Sequence, residues 1–561
     1  MASEGLRLLA GGVLLLGTGA YAAIDQLSDA GNAAALSAWE ELTGEAAPEL
    51  AVNEDGSTAL SWTGGGTLDM YVRDASGGPL LTPASSGAFY ALGVQGQWLA
   101  ADQDERSWAR ISASASNDAS LLAGSTQLDS FQAGQAGRDF RVVLGDVPVL
   151  HSDLGTSTAL RGVGFRQRID ATGLSFATGV IAPSWEAISD AGLRSAPIRN
   201  AIALKASHAV SDSSVIFSTV QAFDDGAPLE TEGAAPPESG QSATIGLAMR
   251  HARFALQSEA GIGRRSTSAG ADAGAAVIID GSWTGERITL RAGHHDLSSS
   301  FATLSAGAIP GVRESYANAS WAVTTYASVA VDVRDTLDRS VDAAHDLEQQ
   351  LELESVPQTR SRAVSVQGSL ALPQLPGTSI TAAVSRSRGS SDDGSRNDVD
   401  AGSVALSFGR GHWSGTLGYQ VSFATLGQEQ ASASTLHGWH ARSAGRLPGV
   451  LPGVDVTVQL QAQVQRQVLS AGSSSQLATV AFELGAHSER WGQASIGAST
   501  AWGHDPAGQP LRQHTLRLDA THPLSKRLSL RGYLAASDNF PDLQDLAYRE
   551  AVGGVQIAYR F

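Results

Sequence analysis

Few residues in the chain are of types and spacings that could do chemistry. Gly293-His294-His295-Asp296 offers two imidazoles and a carboxylate, groups that hold metals or move protons. Neighbouring residues of a strand point to opposite faces, so this run reads as a polar strand end rather than one centre. Ser391-Asp392-Asp393-Gly394 through Asp398-Val399-Asp400 gathers carboxylates that could meet a surface calcium ion. It lacks the spaced acidic ligands and closing Glu of an EF-hand loop, and reads as a solvated turn. No G-x-S-x-G elbow, P-loop or H-E-x-x-H run occurs, and with no Cys there is neither a thiolate metal site nor a disulfide framework. The sequence therefore predicts no catalytic, cofactor or metal site, and no enzyme.

A second set of polar residues is repeated along the chain rather than clustered. Gln459, Gln461, Gln463 and Gln465 form a ladder, and Arg291, Asp332, Arg334, Arg517, Asp519, Arg531 and Arg560 occupy similar alternating positions. Together they would make a polar wall of mixed charge, able to line water or to grip a plug by hydrogen bonds.

Strands must position that wall. Val454 to Val464 alternates apolar and polar for eleven residues, and the same period recurs at Val329-Val331-Val333, Ile288-Leu290, Leu516-Leu518 and Leu528-Leu530. The last strand, Ala551 to Phe561, carries Ala551, Gly553, Val555, Ile557, Tyr559 and Phe561 on one face and Gly554, Gln556, Ala558 and Arg560 on the other. A final strand with a terminal Phe and a Tyr two positions earlier resembles the closing strand of Gram-negative outer-membrane β-barrels. That resemblance implies that Tyr559 and Phe561 form the signal read by the barrel assembly machinery.

Composition and spacing agree. The chain has 561 residues, 62 Gly, 42% hydrophobic residues and a mean hydropathy of −0.07, and only Lys205 and Lys526 among its 38 basic residues are not Arg. After residue 22 no run approaches the ~18 apolar residues of a membrane helix. Exported chains without such a helix can span a membrane only as closed barrels, because every backbone N–H and C=O must be paired within lipid. Counting back from Phe561, short connections (523–526, 488–491, 409–412, 373–377, 284–287, 251–253, 170–173) alternate with long polar ones (540–550, 387–398, 336–359, 301–313, 224–241, 183–197). Short periplasmic turns and long external loops are the pattern of these barrels. The expectation is an all-β, transmembrane antiparallel barrel of about 24–26 strands over residues 58–561, with the strands before Gly137 the hardest to place. Trp98, Trp108, Trp283, Trp413, Trp491 and Trp502 fall near predicted strand ends, where aromatic girdles sit; Trp491 and Trp502, an odd number apart, could both face lipid only across a bulge.

Arg7, the apolar run 8–16 and Ala20-Tyr21-Ala22 predict a signal peptide over residues 1–22. Residues 23–57 read as a periplasmic leader, either loosely ordered or a short helix able to plug the barrel. Val341, Ala344, Leu347 and Leu351, set among acids, predict a short acidic helix in the 338–358 loop, folded inward or lying outside. With Asp224, Asp225, Glu230, Glu232 and Glu238 and a net charge of −18, the loops carry a negative field. It favours cations or divalent bridging to lipopolysaccharide and disfavours nucleic acid.

Leu144-Gly145-Asp146, Ser152-Asp153-Leu154 and Arg161-Gly162-Val163 are similar to a pattern in the barrel of fimbrial ushers. The chain departs from ushers in lacking their periplasmic domains, their Cys pair and a β-sandwich plug. The function expected is an outer-membrane conduit for a polymer or other large substrate, working with periplasmic export or plug proteins. A general or solute-specific porin, and a scaffold or receptor barrel clamping a partner, are the alternatives.

Overall fold

The computed structural model describes residues 59–561 except 78–84, 102–104, 120, 122–124, 183, 191–196, 227–236, 268–269, 306–307, 340–357, 393, 428–431, 471 and 540–546. The predicted signal peptide, leader and acidic helix therefore lie outside the described residues, the last apart from its first and last positions.

Twenty-six antiparallel strands follow one another around a single closed sheet, the upper end of the expected range. Strand β1 (Ala59–Gly77) pairs with β2 (Gly87–Ala101) on one side and with the last strand, β26 (Tyr548–Arg560), on the other. Closure runs from Gly77↔Tyr548 to Gly65↔Arg560 and continues into the final residue, whose N–H donates to the Gly64 carbonyl at 2.9 Å. Phe561 stacks on Trp62, ring centroids 6.3 Å apart. A sheet closed in this way has no edge, so its backbone groups are paired without water. Twenty-six strands ~4.8 Å apart and tilted ~40° give a ring roughly 50 Å across if round.

All the short connections expected from the sequence fall at one end of the barrel, and the long ones at the other. The exception is 387–398. There β17 (Thr378–Ser391) and β18 (Arg396–Arg410) continue through most of the predicted loop and leave only residues 392–395 between them. Asp398 and Asp400 are thus strand residues, not part of a turn.

One junction differs from all others. β4 (Thr126–Ala136) and β5 (Phe140–Leu150) share five paired positions, Gln132↔Gly145 to Ala136↔Arg141, where every other junction has nine or more. Gly145 has a φ of 96° and lies so close to the Phe131 carbonyl that a Cβ would stand 2.1 Å from it, which only glycine permits. Beyond it, side chains replace the ladder. Phe131 N–H donates to Asp146 Oδ2 at 2.7 Å, and Leu128 N–H to Glu186 Oε1 at 2.5 Å, from the short helix α1 (Glu186–Ser189). Trp185 covers the seam, donating to Asp146 (3.2 Å) and lying edge-on to Phe131, with the Arg161 guanidinium over its ring. An unsatisfied buried N–H costs about 1–3 kcal/mol. Glu186→Ala should therefore speed hydrogen exchange at Leu128 by roughly 10- to 100-fold while leaving β20–β26 unchanged; equal exchange in variant and parent would show that the carboxylate does not hold this seam.

Candidate functional site

The two faces of the wall separate by residue type. On β21 (Val454–Leu469) Leu460 and Val464 are exposed on one face; on β26 Val555, Ile557 and Tyr559 are. The same holds for Val329 and Val333 on β15 (Ala327–Asp338), Ile288 and Leu290 on β13 (Ile288–Leu297), and Leu516 on β24 (Pro510–Pro523). Exposed apolar rows on consecutive strands make an outward band too extensive for a water-facing surface. It is an outer-membrane β-barrel.

Trp283, Trp413, Trp491 and Trp502 are exposed near strand ends, as a girdle requires. Trp491 lies in the turn between β22 (Ser474–Ser488) and β23 (Gly492–His504), so strand parity does not constrain it against Trp502. Trp108 is buried and belongs to the interior.

The interior is asymmetric. Two connections from the long-loop end fold into the barrel against the inner face of β8 (Arg199–Ser211), β9 (Ser214–Asp225), β10 (Ser239–His251), β11 (Phe254–Thr267) and β12 (Gly270–Thr284). They are residues 151–156, after β5, and 298–305 with 308–311, after β13. Phe301 and Leu154 are fully buried, and Ala302 and Leu304 pack on Val147, Val149, Leu160, Ala203 and Phe223 of the wall. Small residues permit that approach: a Cβ at Gly274 would meet the Phe301 nitrogen at 2.5 Å.

Polar groups on the two sides meet. Glu259 of β11, 2% exposed, accepts from the Ser152 hydroxyl (2.7 Å), the Leu154 N–H (3.0 Å) and the Thr244 hydroxyl (2.5 Å). Gln221 of β9 accepts from Thr156 (2.7 Å) and donates to Ser242 (2.9 Å). The two loops also hold each other: Thr303 donates to the Leu154 carbonyl at 2.9 Å, and the Ser157 and Ser305 hydroxyls meet at 2.8 Å. Asp153 accepts from Gln257, and nearby Asp280 binds both His295 (2.9 Å) and the Tyr316 hydroxyl (2.6 Å). His294, on the other face, bonds Ser315 instead, so the paired histidines part as strand geometry requires.

Opposite the filled arc, no described residue folds against the inner face. A recess of about 1010 Å³ lies along the short-turn half of β20 (Ser432–Leu451) to β26, lined among others by Arg442, Gln459, Gln461, Glu483, Arg517, Asp519, Arg531 and Gln556. Asp519 anchors it, 2.5 Å from Arg531 and 3.9 Å from Arg517, while Arg442 donates to Gln459 at 3.2 Å. All eleven wall residues singled out in the sequence lie on the face opposite the exposed apolar rows. Five of them meet at this recess; Gln463 and Gln465 lie further along β21 towards the loops, Arg291, Asp332 and Arg334 stand on β13 and β15, and Arg334 pairs with Glu314 at 3.6 Å. Arg560 sits at the turn end opposite Gly65. The in-folded loops escaped sequence reading: their apolar residues are too few and too irregular to show a period.

No protein-family model matches the chain, and no curated protein is similar to it. Among solved structures it is similar to the copper transporter OprC (8% identity, 89% of this chain and 83% of that chain, TM-score 0.41). It is also similar to OccD1 (OprD) (11% identity, 67% and 98%, TM-score 0.33) and to a bacterial polysaccharide outer membrane secretin (7% identity, 65% and 93%, TM-score 0.24). At these scores the similarities carry no argument about cargo, and the assignment to the membrane rests on the barrel's own wall.

Proposed function

We propose that the barrel is a conduit for a polymer or other large hydrophilic substrate, taken up at the short-turn, periplasmic end from a periplasmic partner and passed along the polar wall of β20–β26. One observation carries this reading: among the described residues the interior is filled on one arc and not on the other, and the recess on the second arc is polar, mixed in charge and set in its turn-end half. A barrel this wide cannot be filled by its own strand side chains, so what the loops leave free is the path. Amides and paired charges offer donors and acceptors to a hydroxyl-rich chain without holding it tightly at any one point. The in-folded loops favour one second reading, a solute-selective porin whose constriction they form.

Planar-bilayer recording separates the two. A conduit should conduct in large steps that a neutral dextran blocks from the turn side, with Arg517→Ala/Arg531→Ala changing dextran residence several-fold. Block by small solutes alone, with dextran without effect from either side, would overturn the conduit in favour of the porin.

A further inference from the structure

The outward face of β16 (Thr359–Ala371), β17 and β18 changes character along its length. From the turn end it presents Leu370, Val366 and Val364 on β16, Val384 on β17, and Phe408, Leu406 and Val404 on β18, all exposed. At the next outward positions towards the loops the apolar row stops. Arg362 and Arg360 follow on β16, Arg386 and Arg388 on β17, and Asp400, Asp398 and Arg396 on β18. Charge on the lipid face of a barrel is costly at the bilayer midplane and nearly free at the interface, so this boundary marks the headgroup level of the leaflet at the loop end.

The charges do not cancel. Asp335 of β15 takes Arg360 in a two-point bond (2.9 and 2.5 Å) and Arg362 at 3.4 Å. Asp400 pairs with Arg386 at 3.3 Å and Asp398 with Arg396 at 2.8 Å. Five arginines against three aspartates leave the patch net positive on a chain of net charge −18. Strand register sets Arg362 directly opposite Arg388, and like charges directly opposed on one sheet face repel. Arg388 is exposed and stands opposite Asp398, on whose carboxylate its charge acts, but Asp398 is taken by Arg396 and the Arg388 side chain makes no ion pair or hydrogen bond with a described residue, while Arg362 shares its aspartate with Arg360. Two guanidinium forks side by side, short of carboxylate, suit the oxygens of a phosphate.

We propose that this patch binds a phosphorylated lipid of the outer leaflet, of the bisphosphorylated lipid A type, with Arg362 and Arg388 sharing one phosphate. Position selects the occupant: the arginines face outward, at headgroup depth, directly above lipid-facing valines. This inference stands apart from the transport reading, because it concerns the outside of the wall and holds whatever passes through the lumen.

The test is native mass spectrometry of the purified barrel in detergent with added bisphosphorylated lipid A, the same lipid stripped of phosphate, and inorganic phosphate. The bisphosphorylated lipid should be retained, the stripped lipid at least about tenfold less, and millimolar inorganic phosphate should fail to displace it. Arg362→Gln/Arg388→Gln should weaken retention by about tenfold or more. Equal retention of stripped and intact lipid, or an unchanged affinity in the variant, would overturn the proposal. A single Arg388→Gln variant guards against simple misfolding: relief of the Arg362–Arg388 repulsion should leave its Tm in lipid-free detergent equal to or above the parent's, and remove the increase that lipid A gives the parent. A Tm lowered equally in both media would assign Arg388 a purely structural role and overturn the site.

Discussion

Glu259→Ala should loosen both in-folded loops at once and raise single-channel conductance several-fold. Glu259 receives three hydrogen bonds, two of them from the 151–156 loop, and one of those donors is the backbone N–H of Leu154, which is wholly buried. Removing a buried, hydrogen-bonded charge leaves its partners unpaired, at a cost on the order of 3 kcal/mol or more. A shift of that size moves a docked-to-released ratio by about two orders of magnitude. The effect should not stop at one loop, because Thr303 bonds Leu154 and Ser305 bonds Ser157, so the 298–305 segment loses its footing with its neighbour. The wall itself should survive, since β11 keeps complete ladders to β10 and β12. The checks are conductance in planar bilayers together with the heat-modified gel shift of a folded barrel. Glu483→Ala, on the opposite arc, removes a carboxylate without touching the loops, and its hydrogen exchange at Leu154 should equal the parent's while that of Glu259→Ala rises. A folded Glu259→Ala barrel with parental conductance would show that these loops do not limit the passage.

How much of this could be read in the chain depended on which face was apolar. β15, β21 and β26 are legible because lipid demands apolar residues on one side while the other side meets water or polar groups. Around β5 and β9 that contrast fails. Val143, Val147, Val149 and Phe223 point inward in the cluster that the folded-in loops join and Val215 is buried on the same face of β9, while Leu144, Leu150, Ile216 and Val220 point outward, so both faces are apolar and the alternation is masked. That is why the interior these strands support went unseen. The usher-like segment at 144–163 falls on the unzipped β4–β5 seam and on the 152–154 tip that Glu259 holds.

The opposite error occurred at 387–398. Its Ser, Arg and Asp residues read as a loop because polarity is ordinarily a sign of one. In a barrel the strands run on past the hydrocarbon into the headgroup layer, where charge on the outward face costs little. The charged ends of β17 and β18 were therefore assigned to a loop, and it is the register that places Arg388 beside Arg362 of β16.

The docked loop should also hide a balance of two opposing titrations, which single substitutions would expose. Asp153 is pushed up to about 6, first by burial and then by Glu259 and Asp280, with His295 and Lys205 acting against them. A carboxyl raised in the docked state favours docking when protonated: the gain is complete below its ordinary 3.8 and is lost as pH rises through about 6. His151, on the same loop, is pushed down to about 3 by burial, with Lys205 and Arg166 adding to the effect. An imidazole held neutral favours docking above its ordinary 6.5, and that gain is lost as pH falls towards 3. Each contributes about 1.4 kcal/mol per pH unit within its window, with opposite sign. Between about pH 6 and pH 4 they nearly cancel, and the parent should conduct almost independently of pH. Asp153→Asn keeps an acceptor for Gln257 but removes the acid, leaving His151 alone; its conductance should rise as pH falls from 7 to 4.5. His151→Gln leaves Asp153 alone, and its conductance should fall over the same interval. Opposite slopes in the two variants around a flat parent are the signature of a loop that docks by burying both groups. Slopes of the same sign, or flat profiles in both variants, would mean that the loop stays in place whatever the protonation of Asp153 and His151.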